Sequence, residues 1–166
     1  MRGSAGRLRR AWQVSWSGRA ATAALQSALA AEQAASYGYG VVGAHLTGTR
    51  FSEATGDWIA HQRARDELTQ MISARAARPH AAAVAYQLPV QVRTTADAVA
   101  LAVMIEHQVT AAYLSLVAQP EPALRAFAVQ RMQAAAIGAA LWSGHPQAFP
   151  GLSAGPGARR PRRAAR

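Results

Sequence analysis

Apolar residues recur every three or four positions along four stretches of the chain, each time marking one face of a helix. From about Thr22 to Leu46 the stripe reads Leu25, Leu29, Glu32, Ser36, Tyr39 and Gly43. Gly38, Gly40 and Gly43 weaken that helix by up to ~1 kcal/mol each against alanine, tolerable where a neighbouring helix crosses closely. Thr47-Gly48-Thr49 is a short turn, with Gly48 suited to the position just past a helix end. Ser52 is the expected cap of a second helix reaching about Ala76 on Trp58, His61, Arg65 (or Ala64), Leu68 and Ile72. A third starts at a cap of Thr94 or Thr95, with Asp97 in the first turn where the helix dipole favours a negative charge. Its stripe is Val99, Val103, Glu106, Val109 or Thr110, Tyr113 and Val117. Gln119-Pro120-Glu121-Pro122 breaks the pattern, and a fourth helix runs from about Pro122 to Trp142 on Leu124, Ala128 (or Phe127), Arg131, Ala135, Gly138 and Trp142. No strand pattern and no repeat is visible.

The connections predict the wiring. A turn as short as 47–49 makes the first two helices antiparallel neighbours. Residues 77–93, with Pro79 and Pro89, are too many for a hairpin. Extended, they reach up to roughly 55 Å, more than the ~35 Å length of a helix of this size. The third helix can therefore start at the far end, giving an all-α four-helix bundle in the order up, down, down, up. The expected organisation is an unstructured Arg-rich segment over 1–18 (or an extension from a misplaced start codon), the bundle over 19–144, and an unstructured Arg-rich tail over 145–166.

Composition agrees with helices: about a quarter of the residues are alanine, the best helix former. The charge is unevenly placed. All 18 basic residues are arginine, against 8 acids. Arg2, Arg7, Arg9, Arg10 and Arg19 lie at one end; Arg159, Arg160, Arg162, Arg163 and Arg166 lie at the other. The body between them is formally neutral. Arginine-rich tails bind phosphate by counterion release, without sequence specificity, so nucleic acid or an anionic surface is one possible partner. Solvated tails from a GC-rich coding sequence is the plainer account. With no cysteine, disulfides and thiolate metal sites are excluded. The stretch after Arg9-Arg10 is too short and polar for a signal-peptide core. The uncharged run from Gln33 to Thr49 belongs to a helix carrying Glu32, so no membrane span is expected and the cytoplasm is the default location.

Glu32, His61 and Glu106 each fall near the middle of a helix on an otherwise apolar stripe. Buried carboxylates are costly unless paired or metal-bound. The expected compensation is a polar network in which His61, and Arg63 or Arg65, hold the two glutamates, completed by the hydroxyls of Tyr39 or Tyr113. Asp57, one turn before His61, is placed to hydrogen-bond it. Trp58 and Trp142 read as core, and His45, His80, His107 and His145 as surface groups. No phosphate loop, nucleophile elbow or catalytic triad order is present.

With this wiring and an inward glutamate on helices 1 and 3, the chain resembles the ferritin-like superfamily. More narrowly, over residues 22–142, it resembles a bacterial branch known as domain of unknown function 4439. The matching pieces are Glu32 with Tyr37-Gly38-Tyr39-Gly40, the run His61-Gln62-Arg63-Ala64-Arg65-Asp66, Tyr86-Gln87-Leu88-Pro89, Glu106 and Trp142. Where that family often has His after the first Glu, this chain has Gln33. The superfamily resemblance implies a di-iron site, built from a Glu on each of two helices and Glu-x-x-His on each of the other two. The residues speak against it. Trp58 stands three before His61, Ala35 and Val109 stand three after the glutamates, and helix 4 offers no Glu, Asp or His between Leu124 and Trp142. The expectation is thus a bundle without a di-iron site, no cofactor, and a structural, binding or assembly role rather than catalysis. Its Gly- and Ala-rich helix faces allow the close approach of a second bundle, as in a homodimer. The alternative is a reduced iron or manganese site of Glu32, His61 and Glu106 in a metal-binding or oxidoreductase bundle.

Overall fold

The computed structural model describes residues 4–146, with side chains from residue 18 onward. Four helices account for most of it: α1 (Ser4–Ala44), α2 (Gly48–Ser73), α3 (Thr95–Val117) and α4 (Pro122–Ser143), with no strand among the described residues. α1 packs against both α2 and α3, and α3 packs against α4. The stripes of α1 and α2 become core, with Leu25, Leu29, Leu68 and Ile72 fully buried. On α3 the apolar core positions are instead Leu101, Ile105 and Leu116, and the expected Val99, Val103 and Val117 are only half-buried beside them. Burial of side chains of this size is worth about 1.5–3 kcal/mol each.

α1 differs from expectation at its start. It begins at Ser4 rather than about Thr22, so the stretch expected to be unstructured over 4–18 is helical. The reason is composition: these residues contain no proline, and Ala, Arg, Leu and Gln carry a helix without a hydrophobic face to guide it. The expectation for the C-terminal Arg-rich tail lies outside the described residues.

Gly38 sits at a close contact of α1 with α3, since a Cβ there would lie 2.6 Å from Cδ1 of Ile105. Gly40 meets nothing within 4 Å, and Gly43 would make only an ordinary contact, so close crossing accounts for one of the three glycines. Gly48, at φ 58°, makes the reversal into α2. The cap position of α2 is Thr47, not Ser52, which lies inside the helix with its hydroxyl 3.5 Å from the Gly48 carbonyl. α2 ends at Ser73, where Ala76 turns the chain in the left-handed region at φ 54°. α3 starts as expected: Thr94 accepts from the Asp97 N–H while the Asp97 side chain accepts from the Thr94 N–H. Trp58 departs from expectation. It is 38% exposed and lines a groove between α1 and α2 with Tyr39, Gly40 and Gly43.

The long connection, residues 74–94, is pinned along α1. Gln26 donates to the Arg78 carbonyl at 2.7 Å and accepts from the His80 N–H at 3.0 Å. Gln33 donates to the His80 carbonyl at 2.9 Å, and Tyr86 packs on Tyr37 with ring centres 5.5 Å apart. Leu88, Val90 and Val92 lean on the core, and Thr95 finally donates to the His45 carbonyl at 3.3 Å. α3 is the one described helix long and apolar enough to cross a membrane, with mean hydropathy 1.4, but 44% of that window is buried in the bundle.

Candidate functional site

At the level where α1, α2 and α3 come together, five polar side chains meet in an apolar core. Glu32, His61 and Glu106 are buried, as are Tyr39 and Tyr113. His61 lies between the two carboxylates. Its Nδ1 is 2.6 Å from Glu32 Oε2, and its Nε2 is 3.2 Å from Glu106 Oε1. With both carboxylates ionised they can only accept, so both ring nitrogens donate and the ring is then an imidazolium. Burial alone would pull the His61 pKa down, but the hydrogen bonds and charges of Glu106 and Glu32 outweigh it and push it up to about 9.

The phenols finish the pattern. Tyr39 donates to Glu106 Oε1 at 2.5 Å and Tyr113 to Glu32 Oε1 at 2.7 Å. Burial, with the neighbouring glutamate charge, raises both phenol pKa values far above the ordinary range, so both remain O–H donors. Each tyrosine sits seven residues after one glutamate and bonds the other, so α1 and α3 are tied reciprocally. Midway, Ser36 and Thr110 each return their hydroxyl to the carbonyl of their own glutamate at 2.8 Å. The shared pattern is Glu-x-x-x-Ser/Thr-x-x-Tyr, at Glu32–Tyr39 and Glu106–Tyr113. It is a short polar repeat that a search for apolar periodicity passes over.

The guanidinium comes from elsewhere than expected. Arg63 is exposed, and Arg65 folds onto its neighbour Asp66 at 2.8 Å, so neither reaches the glutamates. On a helix, Arg63 points nearly away from His61, and Arg65 has a partner one residue on. Arg131 of α4 takes that place, with Nη2 3.7 Å from Glu32 Oε1 and donating to the Ala60 carbonyl at 3.2 Å. Its Nε is the one buried side-chain polar atom without a hydrogen-bond partner among the described residues. Asp57 also differs from expectation. It accepts from the Trp142 indole N–H at 2.8 Å instead of bonding His61. Gly138 of α4 faces Glu106 so closely that a Cβ would come within 3.0 Å of its Cδ. The surface histidines behave as expected in that none is buried.

Counting charges with both carboxylates ionised, Glu32 and Glu106 are balanced by the His61 imidazolium and the Arg131 guanidinium. A di-iron centre does not fit this donor set. Both ring nitrogens of the imidazole are engaged by the carboxylates, and α4 brings a cation and a glycine where the centre needs Glu and His. Among the described residues no cluster of three or more metal-ligating side chains stands apart as a cation site.

Comparison with known proteins gives the lineage. The family model described as a domain of unknown function (DUF4439) matches residues 24–154. The chain belongs to that family. A crystal structure of a conserved hypothetical protein, rv2844, from Mycobacterium tuberculosis is similar at 36% identity and a TM-score of 0.74, covering 76% of this chain and 97% of that one. No curated protein matches the chain. A domain of unknown function carries no activity into the membership.

Proposed function

We propose that this DUF4439 protein is a ferritin-like bundle, wired up, down, down, up, whose di-iron site has given way to a self-neutralising polar core. Its role on this reading is structural, binding or assembly, not catalytic. The wiring is supported by the connection pinned along α1 from Gln26 to His45, which returns the chain to the C-terminal end of α1 before α3 begins. The observation that carries the loss of the metal is His61, held between Glu32 and Glu106 by both ring nitrogens. A metal ion there would have to displace a proton from His61 and sit beside the Arg131 guanidinium.

The test is elemental analysis of protein purified from cells supplied with iron and manganese, paired with melting of Glu106→Gln. The expected outcome is no stoichiometric metal and a loss of about 3–5 kcal/mol, the cost of breaking a buried ion pair by removing one partner. One bound ion per chain, lost in His61→Ala, would instead establish the reduced iron or manganese site of Glu32, His61 and Glu106. Unchanged melting of Glu106→Gln would remove the network from the account of stability.

A further inference from the structure

Between the first turns of α2 and the last turns of α4 lies a cleft of about 430 Å³ whose walls include Arg50, Glu53, Asp57, Gly138, Leu141 and Trp142. We propose that this cleft binds a small organic cation carrying an ammonium or guanidinium group, and that Arg50 is its internal stand-in. The Arg50 guanidinium lies 5.1 Å from the centre of the Trp142 ring, within the reach of a cation–π contact. That shows which charge the ring face accepts. Trp142 itself is buried, and its indole N–H, on the ring edge, donates to Asp57 at 2.8 Å, which fixes the orientation of the ring.

Charge favours the same ligand. Glu53 and Asp57 are four residues apart on α2, hence on one face, and both line the cleft. With Arg50 included the cleft carries a formal charge of one negative, whereas the deeper Glu32–His61–Glu106–Arg131 group balances to zero. Asp57 is half-buried, and its burial, with the Glu106 charge nearby, raises its carboxyl pKa. Arg50 is held only loosely: its 3.1 Å pair with Glu53 leaves both side chains 47% exposed, a pairing worth little. A ligand cation can displace it at small cost. The wall at Gly138 is backbone alone, and the Glu106 carboxylate lies directly behind it. The volume, near the low end for ligand pockets, sets the size of the ligand.

This site is independent of the metal-free reading of the core, which elemental analysis tests separately. The full chain is titrated with agmatine at constant ionic strength while the Trp142 indole N–H is followed by NMR, its signal identified by its loss in Trp142→Phe. Calorimetry of the same titration gives affinity without that variant. A saturable shift is expected, absent with 1-butanol. Asp57→Asn keeps an acceptor for the indole but removes the charge, and weakens binding roughly tenfold, the factor carried by one charge-assisted hydrogen bond. Glu53→Gln, at an exposed position that leaves the fold alone, weakens it severalfold. Arg50→Ala tightens binding, since the resident competitor is gone. The proposal is overturned if no saturable shift appears, if butanol produces the same shift, if both carboxylate variants bind normally, or if Arg50→Ala binds no better than the parent.

Discussion

His61 is the residue on which the core turns, and its protonation sets a pH dependence. Its folded pKa, about 9, stands above the ordinary 6.5. A raised pKa means that folding favours the protonated form, so the stabilisation is complete below about pH 6.5 and disappears as pH rises through about 9. Thermal melts between pH 6 and 10 should therefore show a midpoint that falls across that window, and His61→Gln should flatten the profile. Gly138 makes a second expectation. Because a Cβ there would press on Glu106 at 3.0 Å, Gly138→Ala should cost about 1–3 kcal/mol in chemical denaturation, although alanine is the better helix former. A neutral or stabilising result would mean that Glu106 is free to move. Both residues show what the sequence makes legible. Glu32, His61, Glu106, Tyr39 and Tyr113 stand out as polar breaks on apolar stripes. Arg131 breaks the α4 stripe in the same way, but its partner is not legible, because proximity in sequence favours Arg63 and Arg65 while this guanidinium reaches Glu32 from α4 through tertiary packing. Gly138 is silent for the same reason: its importance lies in an atom it lacks.

Among the elements, types and ends follow from local chemistry wherever a specific residue fixes them. The capping box of Thr94 and Asp97 and the left-handed Gly144 bracket α3 and α4 close to where their patterns begin and end. α1 shows the reverse case. Its first turns have no apolar stripe to betray them, and the residues that form them carry a helix on intrinsic propensity. The end of α2 holds a local conflict. Ala76 occupies the left-handed region at φ 54°, where its Cβ crowds the backbone and a glycine would not. Ala76→Gly should raise the stability of the chain by about 1 kcal/mol, measured by urea denaturation, with the 74–94 connection unchanged. A loss instead would mean that the flexibility added to the unfolded chain outweighs the relief of strain. The prediction is specific to this connection: at Gly18 or Gly56, where φ is ordinary, glycine contributes no such relief.

At the scale of the whole molecule, charge divides the chain as clearly as packing does. The formal net charge of +10 belongs to the two ends, because the eight arginines between residues 20 and 158 are matched by all eight acids. A neutral body with basic ends puts the net positive charge that attracts a polyanion at those ends, and the consequence is measurable. Binding of the full chain to a DNA duplex should weaken with salt along a log–log slope set by the number of phosphates its arginines contact, about 0.9 per contact. Removing residues 147–166 takes away Arg159, Arg160, Arg162, Arg163 and Arg166. The slope should then become shallower by up to about four, a few arginines contacting one phosphate each. The N-terminal arginines need a gentler change, since Arg7, Arg9 and Arg10 lie within α1 and deletion would shorten the helix. Replacing them with glutamine keeps helix propensity and removes charge. If both changes together leave affinity and slope as they were, the tails carry no polyanion binding, and any such binding belongs to the neutral body. If they abolish it while the melting point holds, the bundle and its ends act as separate modules, one folded around its balanced core and the other reading phosphate by charge alone.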